Sequence, residues 1–387
     1  MTDQFGWSRG LFSGVVSLGG LCAVAISPLV GRLIDRYGSG AMVAAASAIS
    51  GLCAIGLSLI SQSWAFHALY VPGRMVFASP LELGTSTAVS NWFIRRRPLA
   101  LVLLSVNQGA GLALMSLAAQ FIVGGWGWRT AWASLGVYTL SIGVLPALLM
   151  ARRPEDMGLE ADPVRQKNRL SSQSNASGVN QVAGTASTAP EVNYTVRQAL
   201  RTRAFWVLAA FSVAGFMVQA GVSLHQVPHF INQGLPGLAA ALTASVFAFS
   251  QVLGGVLWST LARRVSLRFL LSLAGFTVAI GAIGTGASAS LNGGIPAATA
   301  LGVGVGGLHL LLRLTWADYY GREYLGSIRG LTLPMQIGGQ ALGPVIAGFM
   351  FDATGAYQLP FLVFTIAVSL AGLLVLAATP PSRGQKN

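Results

Sequence analysis

Charged side chains are scarce in this sequence of 387 residues. They make up 9% of it, against about 25% in ordinary globular proteins, while hydrophobic residues reach 53% before the 48 glycines are counted. So few charges cannot cover the surface of a water-soluble fold, and the mean hydropathy of +0.64 indicates that lipid is the main solvent. The composition therefore excludes a soluble protein and predicts one that crosses a membrane many times.

Residues that carry enzyme chemistry are also few. The two cysteines, Cys22 and Cys53, both lie within apolar runs and support neither a disulfide framework nor a metal site. The four histidines are scattered, with no His-Glu-x-x-His or Gly-x-Ser-x-Gly motif. The sequence therefore favours a protein that is not an enzyme and uses no metal and no cofactor. An intramembrane enzyme and a non-transporting membrane sensor, which would normally carry a folded soluble domain, stay as distant alternatives.

Long apolar runs fill most of the chain. A helix needs about 20 apolar residues to cross a hydrocarbon core of about 30 Å, whereas a barrel strand has about 10. The fold class is therefore all-α, a polytopic membrane protein. Eleven runs qualify, at residues 10–31, 39–61, 65–91, 98–123, 130–151, 204–226, 235–260, 266–288, 294–317, 327–350 and 358–379.

Basic residues outnumber acidic ones by 24 to 11, and their placement argues against a nucleic-acid partner. Of the 24, 20 cluster in alternate breaks between apolar runs, as the positive-inside rule requires of cytoplasmic loops. Arg322 and Arg329 are counted among them. The pattern predicts a multi-pass protein in the lipid bilayer of a plasma membrane, with its carboxyl terminus in the cytoplasm.

A polar stretch at residues 152–203 divides the chain into two halves. Its centre, residues 171–190, consists almost entirely of Ser, Gln, Asn, Ala, Gly and Thr. Such a composition cannot bury enough apolar surface to fold, so it predicts a flexible cytoplasmic linker. The linker separates a bundle of five spans, residues 1–151, from a bundle of six, residues 204–387.

The two halves resemble each other. A single offset along the chain aligns residues 31–36 with residues 259–264, each a basic turn that closes a span. This is the parallel repeat of many secondary transporters, which work by rocking two bundles about a central site. The sequence from Gly31 to Gly38 also resembles the loop motif of the major facilitator superfamily, and the resemblance covers essentially the whole chain. Supporting marks are Trp92 and Phe93 before residues 95–97, Gly127-Trp128-Arg129, residues 153–159, and Gly343-Pro344 with Gly348, Asp352 and Gly355.

Together these marks are similar to bacterial members near the monocarboxylate and oxalate/formate porter branch. The resemblance implies a transporter of the bacterial inner membrane that works by alternating access and carries a small organic anion. It also implies that the loop motif latches the cytoplasmic ends of the two bundles together. The alternative is that the motif is a basic turn that only sets the topology.

The chemistry of the motif fits a latch. Asp35 follows Arg32 and precedes Arg36, and a carboxylate here can accept hydrogen bonds from backbone N–H groups at a neighbouring helix N-terminus. Gly31 and Gly38 permit a close approach and a sharp turn. In the second half Arg263 takes the position of Asp35, so a latch there would be degenerate.

Few ionisable residues lie inside the predicted spans, where each costs at least about 2.5–3.5 kcal/mol. In one interpretation Arg74 and Arg313 clamp a carboxylate substrate, while Glu82 or His309, which the repeat makes equivalent, carries a coupling proton. In the other, Arg74 pairs with Glu82, and Arg313 reaches the cytoplasmic face beside Asp318.

Uncharged polar residues complete the candidate site. Asn107 and Gln336 occupy near-equivalent positions of the repeat, and others could hydrogen-bond one helix to another. Two arginines against one glutamate favour an anionic substrate over the alternative of efflux of hydrophobic or cationic compounds. The candidate substrate and coupling residues are Arg74, Glu82, Asn107, Gln108, Gln219, His225, His309, Arg313 and Gln336, and the candidate gate comprises Gly31, Arg32, Asp35, Arg36 and Gly38.

The first half has one span fewer than the second. By the repeat, the partner of the span at residues 204–226 would lie before Met1. We therefore expect residues 5–9 to be the first interhelical loop and a first helix to be encoded upstream. A genuine eleven-span protein is the alternative.

Overall fold

The structure is a computed structural model that describes residues 9–94, 96–159 and 193–381. Within these ranges the regular structure is helical and no strand occurs. The expected all-α class is confirmed. Helices of the first half are α1 (Arg9–Tyr37), α2 (Ser39–Ser58), α3 (Ser63–Val76), α4 (Glu82–Trp92), α5 (Arg97–Thr139) and α6 (Leu145–Leu148). Those that follow are α7 (Val196–Leu200), α8 (Arg203–Asn232), α9 (Gly237–Leu261), α10 (Leu267–Ala287), α11 (Leu291–Tyr320), α12 (Leu325–Thr354) and α13 (Gln358–Leu374).

Two helices of the first half contain irregular turns. A π-helical turn, Phe77–Leu81, joins α3 to α4 and contains Pro80. Proline lacks an N–H and cannot complete the α-helical ladder, and a π turn absorbs the defect without ending the helix. In α5, Gly127 has φ 85° and separates two helical segments at a kink. The position matches the break that the sequence predicts between residues 123 and 130.

Eight stretches of the described residues are long and apolar enough to cross a membrane. The segment from α3 to α4 is not among them, because the π turn divides it and its second part is rich in Ser and Thr. The expected count of eleven spans stays a prediction. Many large apolar side chains, such as Leu238, Phe349 and Phe121, are exposed on the outside of the helices, as expected of a surface that faces lipid.

The ends of the helices differ from the predicted breaks in two places. Helix α1 continues to Tyr37, so Gly31, Arg32, Asp35 and Arg36 lie on its last turns rather than in a loop, and the chain reverses at Gly38 with φ 89°. Gly38 is suited to this turn because a left-handed conformation strains residues with a Cβ. In the predicted linker, Pro154–Met157 forms a 3₁₀ turn and α7 forms a short helix.

The described parts of the predicted linker, residues 152–159 and 193–203, lie at one end of the molecule, which we call the linker end. The last part of this stretch is docked on the second half rather than flexible: the Tyr194 hydroxyl donates to the Pro381 carbonyl over 2.6 Å. The Tyr194 amide donates to the Tyr320 carbonyl over 3.0 Å. The centre of the predicted linker, residues 160–192, lies outside the described residues.

Candidate functional site

A central cavity of about 420 Å³ lies between the two halves. Helices α1, α3, α4 and α5 line it on one side, and α8, α11 and α12 on the other. Its volume falls within the range of about 300–1,000 Å³ that is typical of small-molecule sites. An apolar layer of Val30, Ile34, Leu83 and Leu333 closes its floor toward the linker end.

Glu82 connects the two halves across this cavity. It is the first residue of α4, directly after the π turn. Its Oε1 lies 2.7 Å from Arg313 Nη2 on α11 and 3.6 Å from Arg329 Nη2 on α12. Arg313 also donates to the Ser105 hydroxyl over 3.3 Å, and Arg329 donates to the Ser86 hydroxyl. One carboxylate of the first half thus holds two guanidinium groups of the second.

The sequence analysis placed Arg329 in a cytoplasmic break, and this prediction is wrong. Arg329 lies one turn inside α12 and is 4% exposed. The repeat gave no indication of it, because Ala100 and Leu101 stand at the corresponding positions of the first half. A helical spacing could have found it, since Arg329, Leu333, Gln336 and Gln340 recur on one face of α12 and all line the cavity.

Arg74 also lines the cavity, but its surroundings differ from those of the other two arginines. Its guanidinium carbon lies 5.5 Å from the centroid of the Phe77 ring, and its side chain packs against Gly19. Among the described residues it has no ion pair. The alternative interpretation, in which Arg74 pairs with Glu82 and Arg313 lies beside Asp318, is wrong because Glu82 pairs with Arg313. Eight residues separate Arg74 from Glu82, about 12 Å along a helix.

Several other predicted residues meet in the same cavity. His309 Nε2 lies 3.1 Å from Gln219 Oε1, and the His309 ring contacts the Phe216 ring edge to face. Gln108 Nε2 lies 3.5 Å from Glu82 Oε2. Of these residues, Gln108 and His309 line the cavity with Gln336 and add hydrogen-bonding groups around its charged cluster.

The structure does not bring Asn107, Gln219 and His225 to the cavity lining, although Gln219 contacts His309, which does line it. Asn107 is exposed on α5, one residue away from Gln108, which faces inward. His225 lies almost two turns beyond Gln219 on α8, where its ring is 3.3 Å from the Tyr357 hydroxyl and 3.2 Å from the Pro344 carbonyl. His225 therefore links α8 to α12 and the start of α13, away from the linker end.

Asp35 connects the halves at the linker end. Its two carboxylate oxygens accept from the backbone N–H groups of Gly326 and Ser327 over 2.9 and 2.8 Å. These are the second and third residues of α12, whose unpaired N–H groups and positive dipole end attract a carboxylate. Arg32 and Arg36 are exposed beside it.

Glycines let α1 and α12 approach closely at this point. A Cβ on Gly31 would lie 2.2 Å from the Gly326 carbonyl oxygen, and a Cβ on Gly330 would lie 2.5 Å from the Ser27 carbonyl oxygen. Backbone atoms cannot move aside as a flexible side chain can, so only glycine fits. We call the contact of Asp35 and the end of α1 with the start of α12 the latch seam.

Arg322, in the turn after α11, adds a further tie at the linker end. It donates to the Asn91 carbonyl of the first half over 2.7 Å and to Glu155 Oε1, at the start of the predicted linker, over 2.9 Å. Partial burial raises the pKa of Glu155, but a backbone hydrogen bond and the Arg322 guanidinium outweigh it and hold that pKa below its usual range. The Glu155 side chain is 46% exposed, so water screens this pair.

Comparisons with known proteins agree with this architecture. The family model described as Major Facilitator Superfamily matches residues 1–336. The chain is 24% identical over 384 residues to monocarboxylate transporter 2 of Rattus norvegicus, covering 97% of this chain and 75% of the rat protein. It is 28% identical over 375 residues to monocarboxylate transporter 11 of Mus musculus, covering 92% of this chain and 76% of the mouse protein.

The fold is also similar to that of a solved transporter. The fucose:proton symporter of E. coli superposes with a TM-score of 0.72 at 13% identity, over 95% of this chain and 90% of the symporter. At this identity the likeness concerns the fold alone. It extends over both halves.

Proposed function

The chain belongs to the Major Facilitator Superfamily, and from that premise we propose that it is a secondary transporter of a small organic anion, coupled to protons. Its relatives are transporters and not enzymes, in agreement with the sequence analysis. The monocarboxylate transporters among them support an organic anion as substrate. The excess of arginine in the central cavity is the observation that carries the proposal.

Three guanidinium groups and one carboxylate line this cavity: Arg74, Arg313 and Arg329 against Glu82. Unpaired charge at membrane depth is costly, so a cavity with two positive charges in excess favours an anion from solution. Guanidinium groups bind carboxylates through paired, charge-assisted hydrogen bonds. Efflux of cationic compounds would require the opposite balance of charge, which these residues do not offer.

Glu82 provides a route to proton coupling. Its carboxylate contacts Arg313 and Arg329 as that of an anionic substrate would. A proton on Glu82 removes its charge and releases both guanidinium groups for the substrate carboxylate. The proton and the anion then enter together, and the net charge of the cavity stays the same.

The same exchange links binding to movement. Glu82 belongs to the first half, and its two arginines belong to the second. Rocking that opens the linker end pulls these groups apart, which costs several kcal/mol while they are buried and charged. A bound proton and a bound anion remove that cost. We place the linker end in the cytoplasm, because most of the 24 basic residues lie in the sequence breaks assigned to that side.

Uptake into proteoliposomes tests the proposal. We would measure the apparent affinity for a panel of labelled monocarboxylates and dicarboxylates under an inward proton gradient. For the transported member of the panel, Arg74→Gln and Arg313→Gln should each weaken the affinity by about tenfold or more, because each removes a charge-assisted contact. Arg197→Gln is the matched control, since Arg197 is exposed on α7 and does not line the cavity; it should leave the affinity unchanged.

The coupling has its own readout. Glu82→Gln should retain exchange of labelled for unlabelled anion but lose the acceleration by a proton gradient. Unchanged affinities in both arginine variants would refute anion binding by these residues. A Glu82→Gln variant that still accumulates substrate against its gradient would refute the role of Glu82 as proton carrier.

A further inference from the structure

A second crevice separates the two halves at the linker end, outside the substrate cavity. It has a volume of about 700 Å³. The turn between α4 and α5 lines it from the first half, through Ile94, Arg97 and Pro98. The turn between α9 and α10 and the last turns of α11 line it from the second half. We call this contact the crevice seam.

The repeat relates the crevice seam to the latch seam. The offset that aligns the two basic turns places Arg263 at the position of Asp35. Asp35 fills the latch seam with a carboxylate that α12 binds through two N–H groups. At the crevice seam the corresponding residue is a cation, and the space in front of it is open. The anion that closes the first seam is thus missing from the chain at the second.

The charges that line the crevice are unbalanced. Three arginines, Arg97, Arg263 and Arg268, face one acid, Asp318. Arg97 is fixed in place, since it donates to the carbonyls of Phe93 and Ser90 over 3.0 and 3.1 Å. Neither Arg263 nor Arg268 forms an ion pair with any of the described residues. The crevice therefore has two positive charges in excess and favours an anionic ligand.

The rim of the crevice is apolar. Of the residues that line it, Ile94 is 45% and Val265 39% exposed. Phe269, next to Arg268 in the chain, is 52% exposed, and its ring centroid lies 5.1 Å from the Arg268 guanidinium carbon. Arginines at the ends of spanning helices lie at the depth of lipid headgroups, where apolar neighbours contact acyl chains. A ligand that suits both surfaces has an anionic head and an apolar body.

We infer that the crevice binds the phosphate group of an anionic phospholipid, which takes the place of the missing carboxylate and holds the second seam closed. The phosphate lies between Arg263 and Arg268, and the acyl chains lie along the exposed apolar rim. The occupancy of this site then biases the equilibrium between closed and open linker ends. The site is separate from the substrate cavity, so this inference does not depend on the identity of the substrate.

Lipid binding to the purified full-length protein tests the inference. The protein would be placed in nanodiscs of phosphatidylcholine, with phosphatidylglycerol added in steps, and both the bound phosphatidylglycerol and the thermal unfolding temperature would be measured. The wild type should bind phosphatidylglycerol and unfold at a higher temperature with it. A separate series replaces the lipid by inorganic phosphate. Equal stabilisation by inorganic phosphate would overturn the lipid as the source of the anion.

Variants locate the site. Arg263→Gln and Arg268→Gln should each weaken phosphatidylglycerol binding by about fivefold to tenfold, because each removes one juxtamembrane charge. Arg264→Gln is the matched control: Arg264 is the exposed neighbour of Arg263, and it does not line the crevice. An equal loss in Arg264→Gln would show a diffuse attraction to negative lipid and overturn the site.

Arg263→Asp restores the carboxylate that the repeat predicts. This variant should be as stable in pure phosphatidylcholine as the wild type is with phosphatidylglycerol, and it should no longer respond to the anionic lipid. If Arg263→Asp responds to phosphatidylglycerol as the wild type does, Arg263 does not contact the lipid phosphate and the inference fails. Unfolding temperatures of all variants in pure phosphatidylcholine serve as the check that they fold.

Discussion

The latch seam and the crevice seam occupy equivalent places in the repeat, yet they differ in packing and charge. At the latch seam α1 and α12 touch backbone to backbone, and Asp35 binds the start of α12. At the crevice seam a crevice of about 700 Å³ lies between the start of α5 and the turn between α9 and α10. One seam is closed by the chain alone, whereas the other has room for a ligand.

This difference shows how a duplicated fold can divide two tasks between equivalent positions. Opening the linker end requires both seams to separate. The strength of the latch seam is set by the sequence, through glycines and one carboxylate. The strength of the crevice seam depends on what the surroundings supply. A transporter built in this way can keep a fixed closed state and still respond to its membrane.

The largest expected effect comes from adding a methyl group to the latch seam. In Gly330→Ala the new Cβ would lie 2.5 Å from the Ser27 carbonyl oxygen, so α1 and α12 must separate. We expect a loss of stability at the upper end of about 1–3 kcal/mol, because the obstacle is backbone. Thermal unfolding of the purified protein measures it.

Gly348→Ala is the matched control on the same helix. Nothing lies within 4 Å of the Cβ that it adds. It should be neutral or stabilising by up to about 1 kcal/mol, since alanine favours a helix. Equal effects of the two substitutions would show that the close approach of α1 and α12 contributes nothing to stability, and the contrast between the seams would lose its structural basis.

A smaller effect is expected from the charge of Asp35. In Asp35→Asn one oxygen remains to accept a hydrogen bond, but the negative charge at the start of α12 is gone. We expect a loss of about 1–2 kcal/mol, within the range of helix capping and of charged hydrogen bonds. The measurement is again thermal unfolding, now with the accessibility of a cysteine introduced at Ser327 as a report on seam opening.

Asp352→Asn provides the comparison for this substitution. Asp352 is exposed near the other end of α12, so its substitution removes the same charge without touching either seam. It should leave both readouts unchanged. If Asp35→Asn matches it, the carboxylate sets only the topology of the chain, as the alternative interpretation of the motif holds.

Much of the fold could be predicted from the sequence because lipid imposes simple rules. Apolar runs of about 20 residues predicted the helices. The predicted breaks that contain Gly38 and Gly127 are confirmed, because both glycines have positive φ and interrupt the helical backbone. The docked segment near Tyr194 was missed, because its partners, Tyr320 and Pro381, are remote in sequence. The end of α1 was also predicted too early, since a helix can continue beyond the apolar region.

The candidate site was predicted less completely. Burial cost identified Arg74, Glu82, His309 and Arg313, and all four line one cavity. The pairing of Glu82 with Arg313 could not be predicted, because it depends on how the two halves dock. Arg329 was missed because it is only the fifth residue of α12. Basic residues so close to the start of a spanning helix usually lie on the cytoplasmic surface. The functional roles of these residues stay predictions.

The smallest expected effect concerns the tie between Arg322 and Glu155. The folded state holds the pKa of Glu155 below its usual range. The pair therefore stabilises the fold fully at pH values above the pKa that Glu155 has in the unfolded chain. This stabilisation is lost as the pH falls through the lower pKa that Glu155 has in the folded protein. The pair is solvent-exposed, which limits the contribution to less than about 1 kcal/mol.

Unfolding temperatures measured from about pH 7 down to about pH 3 test this effect. The wild type should unfold at a higher temperature than Glu155→Gln at neutral pH, and the two temperatures should converge in acid. Asp156→Asn, which removes a neighbouring exposed carboxylate, should follow the wild type throughout. A constant gap between wild type and Glu155→Gln at all pH values would mean that Glu155 acts through packing rather than through its charge.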